Sequence, residues 1–88
     1  MLPLQAKYLA RYAEATVAVS RDGARKHAEE ARSLANRAHW DYAKGIALRA
    51  LGQSVSNGKE AADHLRDAES IFRCVGARTE LERTLTLL

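Results

Sequence analysis

The 88-residue chain allows one small domain, and its charges form no basic block of the kind found in a dedicated nucleic-acid binder. Hydrophobic residues make up 47% of it, alanine is frequent, and the aromatic residues are one Trp, three Tyr and one Phe, which favours an all-α protein with closely packed helices. The net charge of +3 is spread along the chain and gives a mild preference for acidic partners.

The sequence shows no sign of export or membrane insertion. Its single cysteine, Cys74, cannot form an intrachain disulfide, which favours a reducing compartment. Residues 1–7 lack the basic start and long apolar core of a signal peptide. No apolar run approaches the roughly 18 residues that span a bilayer. We therefore expect a cytoplasmic protein, or a fragment of one, with no membrane partner.

Apolar residues recur at steps of three and four along the chain, which predicts amphipathic helices. The pattern is interrupted by short turn-like segments, and it predicts five helices at about residues 4–20, 23–38, 41–56, 59–75 and 78–88. Such short joints favour an antiparallel succession of α-hairpins. The expected fold is therefore an all-α hairpin array in a single domain.

Local signals mark the helix ends and one close helix contact. Gly45 and Gly52 lie inside the third predicted helix, where each costs roughly 1 kcal/mol relative to Ala, so we expect a neighbouring helix to approach closely there. The cap residues predicted from side-chain chemistry are Asp22, Asp41, Asn57 and Thr79 at helix starts and Gly76 at a left-handed helix end.

An internal repeat organises the sequence. Residues 61–71 are a second copy of residues 24–34, with Ala, His, Ala and Ser at the same places and a constant offset of 37 residues. A fixed period of this size is typical of stacked helical units.

These residues resemble the tetratricopeptide repeat family, and most of all the longer-period bacterial variety attached to regulatory ATPases, cyclases and transcription activators. The resemblance implies about two and a half repeats, with a concave face formed by the first helix of each unit. The segment from Gly52 to Ala61 is about three residues shorter than the family pattern, which predicts a tight hairpin. The matching positions are Leu48, Leu51, Gly52, Gly58, Ala61, Leu65, Ala68, Phe72, residues 75–78 and Leu85, with Leu9, Ala13, Ala24, Ala28 and Ala31 in the earlier copy.

The same resemblance implies that a partner binds the concave groove. Arg49 and Gln53, one helical turn apart, resemble a clamp for a peptide carboxylate. An ordinary solvated face is the alternative interpretation. The predicted partner-binding groove consists of Lys7, Glu14, Ile46, Arg49, Gln53 and Arg83, with Ala10, Val17 and Thr86 beside them.

The fifth predicted helix carries apolar residues that no later helix of this sequence covers. Stacked repeats need a polar cap, and a terminal unit without one exposes apolar surface. We therefore expect either a longer array or association with a second copy, as a symmetric dimer or by a helix swap. The predicted self-association edge is Leu81, Leu85, Leu87 and Leu88.

The histidines do not indicate a metal site. His27 and His64 recur in the repeat, but equivalent positions of adjacent repeats lie about a helix diameter apart, ~10 Å, which is too far for one ion. His39 lies outside the repeat register. No metal and no cofactor are predicted.

No catalytic constellation is visible either. Cys74 has no neighbour in sequence that would lower its pKa or orient a base, and we expect it to be buried beside Phe72 and Val75. Trp40, next to Tyr42, is expected to pack across a helix joint, with an exposed binding anchor as the alternative. We predict no enzymatic activity.

The sequence thus predicts a protein–protein interaction module that binds a peptide or helix in its groove, self-associates through its last helix, or does both. One alternative is a structural oligomerisation segment of a larger regulatory protein. A small helical nucleic-acid binder is a weaker alternative, and the partner is expected to be a protein or peptide, with acidic ones favoured.

Overall fold

Five helices account for most of the protein. The computed structural model describes the backbone of residues 2–88 and the side chains of residues 4–88. These residues contain no strand, which confirms the all-α prediction. The helices are α1 (Leu2–Thr16), α2 (Arg21–Ala38), α3 (Asp41–Ser54), α4 (Gly58–Val75) and α5 (Arg78–Leu85).

Three helices end earlier than the apolar pattern predicts. α1 ends at Thr16, because the chain turns over residues 17–19 and is extended at Ser20. α3 ends at Ser54, because Val55 is extended. After α5, backbone hydrogen bonds from Leu87 to Thr84 and from Leu88 to Leu85 form a turn that does not continue the helix. The last two leucines of the predicted edge therefore lie outside the helix.

The helix bounds recur with the sequence repeat. α2 and α4 both contain 18 residues, and their first residues, Arg21 and Gly58, are 37 apart. Their C-terminal caps, His39 and Gly76, are also 37 apart and both adopt the left-handed conformation. The repeat in sequence is thus accompanied by a repeat in local backbone structure.

The start of α2 corrects one predicted cap. Ser20, and not Asp22, is the N-cap, and its hydroxyl oxygen accepts a hydrogen bond from the Gly23 N–H at 3.1 Å. Asp22 lies in the first turn, where its carboxylate is favourable beside the positive end of the helix dipole. The predicted N-cap Asn57 is confirmed, since its side-chain oxygen accepts from two N–H groups of α4. Ser20 and Asn57 are again 37 residues apart.

The other predicted caps have mixed outcomes. Gly76 ends α4 with φ 74°, as predicted. Asp41 and Thr79 lie inside α3 and α5, whose N-caps are Trp40 and Ala77 without a side-chain hydrogen bond. The first N–H groups of these two helices are therefore not capped by the side chain of the N-cap residue.

The two left-handed caps lead to a paired prediction. His39 has φ 54°, a conformation that costs a non-glycine residue about 1–2 kcal/mol, so His39→Gly should stabilise the protein by about 0.5–1 kcal/mol. Gly76→Ala at the equivalent position should destabilise it by a similar amount. Urea unfolding of both variants measures the two changes. If both substitutions raise the free energy of unfolding, or both lower it, the two caps are not equivalent.

α3 is the central helix. All of its residues from Gly45 to Gly52 are buried. It packs against α1, α2 and α4, and Arg49 connects it to α5. The main core cluster consists of Ala10, Ala13, Ala28, Ala31, Ile46, Ala47, Leu48, Ala50, Leu51, Ala68 and Phe72.

The two glycines of α3 mark the expected close approach. A Cβ atom at Gly45 would lie 2.7 Å from the Phe72 ring. A Cβ atom at Gly52 would lie 2.7 Å from Leu65 Cγ and 3.1 Å from the Ala61 carbonyl oxygen. All three of these residues belong to α4. The glycines lower helix propensity, but they permit a close α3–α4 contact, as predicted.

The helices α1 and α3 are related by a slightly different offset. Ala6 of α1 shares a cluster with Ala35 of α2, whereas Gly45 of α3 contacts Phe72 of α4. Phe72 follows Ala35 by 37 residues, but Gly45 follows Ala6 by 39. The α1–α2 connection, residues 17–20, is one residue longer than residues 55–57 between α3 and α4, which accounts for one of the two residues of this shift. Positions of α1 therefore correspond to positions of α3 at an offset of 39.

Candidate interaction surfaces

A buried arginine connects three helices. Arg49 of α3 is only 2% exposed. Its Nε and Nη2 atoms lie 2.6 and 2.9 Å from the two carboxylate oxygens of Glu14 in α1, a bidentate pair. Nη2 also donates to the Glu80 carboxylate of α5 at 2.7 Å, and Nη1 to the Glu80 carbonyl oxygen at 3.2 Å. Glu14, Arg49 and Glu80 are called the Arg49 cluster below.

Two further arginines contact the Glu80 carboxylate. Arg11 of α1 donates to both Glu80 oxygens at 3.3 Å and to the Tyr42 hydroxyl oxygen at 3.2 Å. Arg83 Nη1 lies 3.5 Å from Glu80 Oε2. Thr84, fully buried, donates to the Glu80 carbonyl oxygen at 2.8 Å. The side of α5 that faces α1 and α3 is therefore polar and held mainly by charge.

The pKa values of the cluster follow from these contacts. Burial alone lowers the pKa of Arg49, but hydrogen bonds and charge from Glu14 and then Glu80 more than offset it, so the net pKa is raised. Burial raises the pKa of Glu80, but hydrogen bonds and charge from Arg49 and Arg11 leave it below the usual value. Arg49 and Glu80 are therefore both ionised at neutral pH.

The structure brings together four of the six predicted groove residues. Glu14, Arg49, Gln53 and Arg83 line one open cleft of about 410 Å³, with Ala15 and Leu87 beside them. Lys7 does not line this cleft, and its ammonium group lies 5.9 Å from the Tyr8 ring centroid. Ile46 is fully buried and faces the core.

The expected carboxylate clamp is not free in this structure. The guanidinium of Arg49 is engaged by Glu14 and Glu80, so it offers no donor to a peptide carboxylate. The carboxylate that it clamps belongs to the chain itself. These two glutamates also offset the positive charge that Arg49 and Arg83 bring to the cleft. Of the predicted basic residues at the cleft, Arg83 keeps a mostly exposed side chain.

The predicted self-association edge divides into a packed part and an exposed part. Leu81 packs against the main core cluster. Leu85, Leu87 and Leu88 are 43%, 43% and 51% exposed. The exposed pair Leu85 and Leu88 is called the α5 face below. This surface is apolar.

A second apolar surface lies on α1, although its residues follow the apolar spacing of an amphipathic helix. Leu4, Tyr8 and Tyr12 are 42%, 63% and 57% exposed, and their spacing of four places them on one side of the helix. The buried side of α1 is instead formed by alanines, Ala6 and Ala10 among them. In an alanine-rich chain, the spacing of the alanines was the signal for the buried side.

Cys74 is exposed, in contrast to its predicted burial. Phe72 points into the core, and a residue two positions later is rotated by about 200° around the helix. The Trp40 ring lies 6.0 Å from the Tyr42 ring and packs on the cluster that contains Ala43. This contact agrees with packing of Trp40 across the joint.

The histidines lie apart. His27 contacts the edge of the Tyr12 ring at 4.9 Å, and His64 Nε2 lies 3.7 Å from a Glu60 carboxylate oxygen. Among the described residues, no three His, Cys, Asp or Glu side chains are arranged to hold a metal ion. Across residues 2–88, no helix combines the length and the hydropathy that crossing a membrane requires.

Comparison of the chain with protein-family models, with curated proteins and with solved structures gives no match. The resemblance to tetratricopeptide repeats therefore depends on the quoted residues and on the recurring helix bounds.

Proposed function

We propose that the protein is an interaction module of about two and a half tetratricopeptide-like α-hairpins, which self-associates through the α5 face. The hairpin interpretation is supported by the recurrence of helix bounds and caps at 37 residues. It is also supported by the packing of each helix on the next one along the chain, together with the α1–α3 contact. The Arg49 cluster, in contrast, holds α1, α3 and α5 together.

One observation carries the proposal. The start of α5 follows the start of α3 by 37 residues, so Leu85 corresponds to Leu48 and Leu88 to Leu51. Leu48 and Leu51 are 4% and 2% exposed, whereas their counterparts in the α5 face are about half exposed. Positions that neighbouring helices enclose in α3 are thus open in α5.

An amphipathic helix is the partner that such a surface fits. Leu85 is the last residue of α5 and Leu88 lies in the turn that follows, so this apolar surface is at the end of the helix, where the apolar side of a second helix can pack. A second copy of the chain supplies a helix of this kind. Under this proposal the protein is an assembly or scaffold module of the cytoplasm. It would then act as a structural oligomerisation segment of a larger regulatory protein, which is the alternative predicted from the sequence.

A peptide in the cleft between α1, α3 and α5 is the second candidate. Arg83, Gln53 and Leu87 line that cleft, so it could hold an extended segment with an acidic group near Arg83. This candidate ranks lower because Arg49 is already paired. Nucleic-acid binding ranks lowest, since the net charge is only +3.

Leu85→Glu with Leu88→Glu tests the proposal. Two carboxylates in an apolar contact should raise the dissociation constant of self-association at least tenfold, because each carboxylate would lose water without gaining a partner. Val19→Glu is the matched control, since Val19 is 88% exposed and lies outside the α5 face. Light scattering after size-exclusion chromatography measures the mass of each protein, and circular dichroism verifies the fold. Unchanged association of the double variant would refute the proposal.

A further inference from the structure

We propose that a groove formed by α2, α3 and α4 binds a peptide segment of a partner protein, in which an acidic side chain stands next to an apolar one. The groove has a volume of about 450 Å³, which is within the size range of ligand sites in proteins. It shares no lining residue with the α5 face or with the cleft beside Arg49. The proposal therefore does not depend on self-association.

The groove is built by residues one helical turn apart. Arg32 and Asn36 line it from α2, and Lys44 and Leu48 line it from α3. α4 supplies the remaining lining residues, and both α2 and α4 pack on α3. Residues four apart lie on one side of a helix, so the groove extends along α2 and α3 by about one turn, roughly 5.4 Å. A short segment of chain can follow it.

Two cations of the groove have no carboxylate partner in the part of the chain that the structure describes. Arg32 and Lys44 are both half-buried, and neither forms an ion pair with residues 4–88. By contrast, the half-buried Arg11 and the buried Arg49 are each paired with Glu80. A cation that has lost part of its water without gaining a counter-ion is a favourable site for an incoming carboxylate.

The repeat shows how the equivalent positions are satisfied in α4. At the offset of 37 residues, Arg32 corresponds to Glu69 and Asn36 to Arg73. Arg73 donates to one Glu69 carboxylate oxygen from Nε at 3.1 Å and from Nη2 at 2.8 Å. In α2 the first of these positions is a cation and the second is neutral, so the two cannot form such a pair. A carboxylate for Arg32 can come only from another segment or another molecule.

The rest of the lining indicates the kind of ligand. Asp67 also lines the groove, which leaves its lining with a net charge of +1 and suits one carboxylate better than a phosphate of nearly two negative charges. Leu48 is only 4% exposed and Ile71 packs against the main core cluster, so both offer apolar surface beside the charges. Asn36 and Ser70 supply hydrogen-bond donors. An acidic side chain next to an apolar one matches both parts of this lining.

Titration with two blocked tripeptides tests the proposal. Leu-Glu-Leu and Leu-Gln-Leu, each acetylated and amidated, differ only in the charge of the central side chain. The Glu peptide should bind roughly tenfold more tightly, because its carboxylate pairs with Arg32 and Lys44. Amide chemical shifts measured by NMR give the dissociation constants and should change around the groove.

Two variants define the role of charge in the groove. Arg32→Gln combined with Lys44→Gln should remove the difference in affinity between the two peptides. Asp67→Asn should tighten binding of the Glu peptide by roughly twofold to fivefold, because it removes a carboxylate that competes for the same cations. Lys26→Gln combined with Arg37→Gln is the matched control, since it removes two exposed cations of α2 outside the groove. Circular dichroism verifies the fold of each variant.

Four results would overturn the proposal. The first is equal affinity of the wild type for the two peptides, and the second is no binding of the Glu peptide. The third is equal weakening by the control and by the groove double variant, which would show only general attraction to positive charge. The fourth comes from a parallel titration with inorganic phosphate. Tighter binding of phosphate than of the Glu peptide, with the same shifts, would identify a site for a free anion instead of a peptide.

Discussion

Arg49→Ala should destabilise the protein by about 3–5 kcal/mol. The substitution leaves the carboxylates of Glu14 and Glu80 partly or fully buried without their main partner, which is the costly way to break a buried ion pair. A domain of this size has a total stability of about 4–13 kcal/mol, so much of it would be lost. Urea unfolding followed by circular dichroism measures the loss.

Two controls define the cause of this effect. Arg25→Ala removes an exposed pair with Glu29 within α2 and should change stability by no more than about 0.5 kcal/mol. Arg49→Met combined with Glu14→Gln and Glu80→Gln removes all three charges, and should be clearly more stable than Arg49→Ala. A triple variant as unstable as the single one would show that the loss comes from packing and not from unpaired charge.

Phe72→Ala should cost about 3–5 kcal/mol, since Phe72 is fully buried in the main core cluster. The Phe72 ring also decides whether Gly45→Ala stabilises or destabilises the protein. Gly45→Ala alone should destabilise the protein, because the new Cβ would lie 2.7 Å from the ring. In the Phe72→Ala background the same change should stabilise it by up to about 1 kcal/mol, because the overlap with the ring is gone, only the 3.2 Å contact with Ile71 Cγ2 remains, and helix propensity is gained.

The four proteins of this double-mutant cycle are compared by chemical denaturation. Gly58→Ala is the matched control, since Gly58 has no atom within 4 Å of the position of a new Cβ. It should be neutral or slightly stabilising in either background. If Gly45→Ala destabilises both backgrounds equally, contact with Phe72 is not the reason for the glycine.

The sequence predicts those parts of the fold that depend on periodicity and local backbone chemistry. The number of helices, the end of α4 at Val75, the N-cap Asn57 and the left-handed Gly76 all follow from residue patterns, and the structure confirms them in residues 2–88. Gly45 and Gly52 correctly indicated a close contact, because nothing else accounts for two glycines within one helix. The 37-residue repeat could also have identified Ser20 as a cap, since it precedes Asn57 by that offset.

The candidate surfaces were harder to predict, because they depend on which side of each helix is covered. Tyr8 and Tyr12 look like core residues in a count of apolar positions, but small alanines let α2 and α3 pack on the other side of α1. Arg49 looks like a groove residue by register, but it is the single charged residue between Gly45 and Gly52 and requires carboxylates close by. Its partners lie 35 and 31 residues away in the chain, so only the fold identifies them.

The mass of the wild-type protein over a range of concentrations tests the central claim most directly. The open α5 face should bring copies together, so the weight-average mass from sedimentation equilibrium should rise above the 9.7 kDa of one chain as concentration increases. A mass that remains at 9.7 kDa into the millimolar range would contradict self-association.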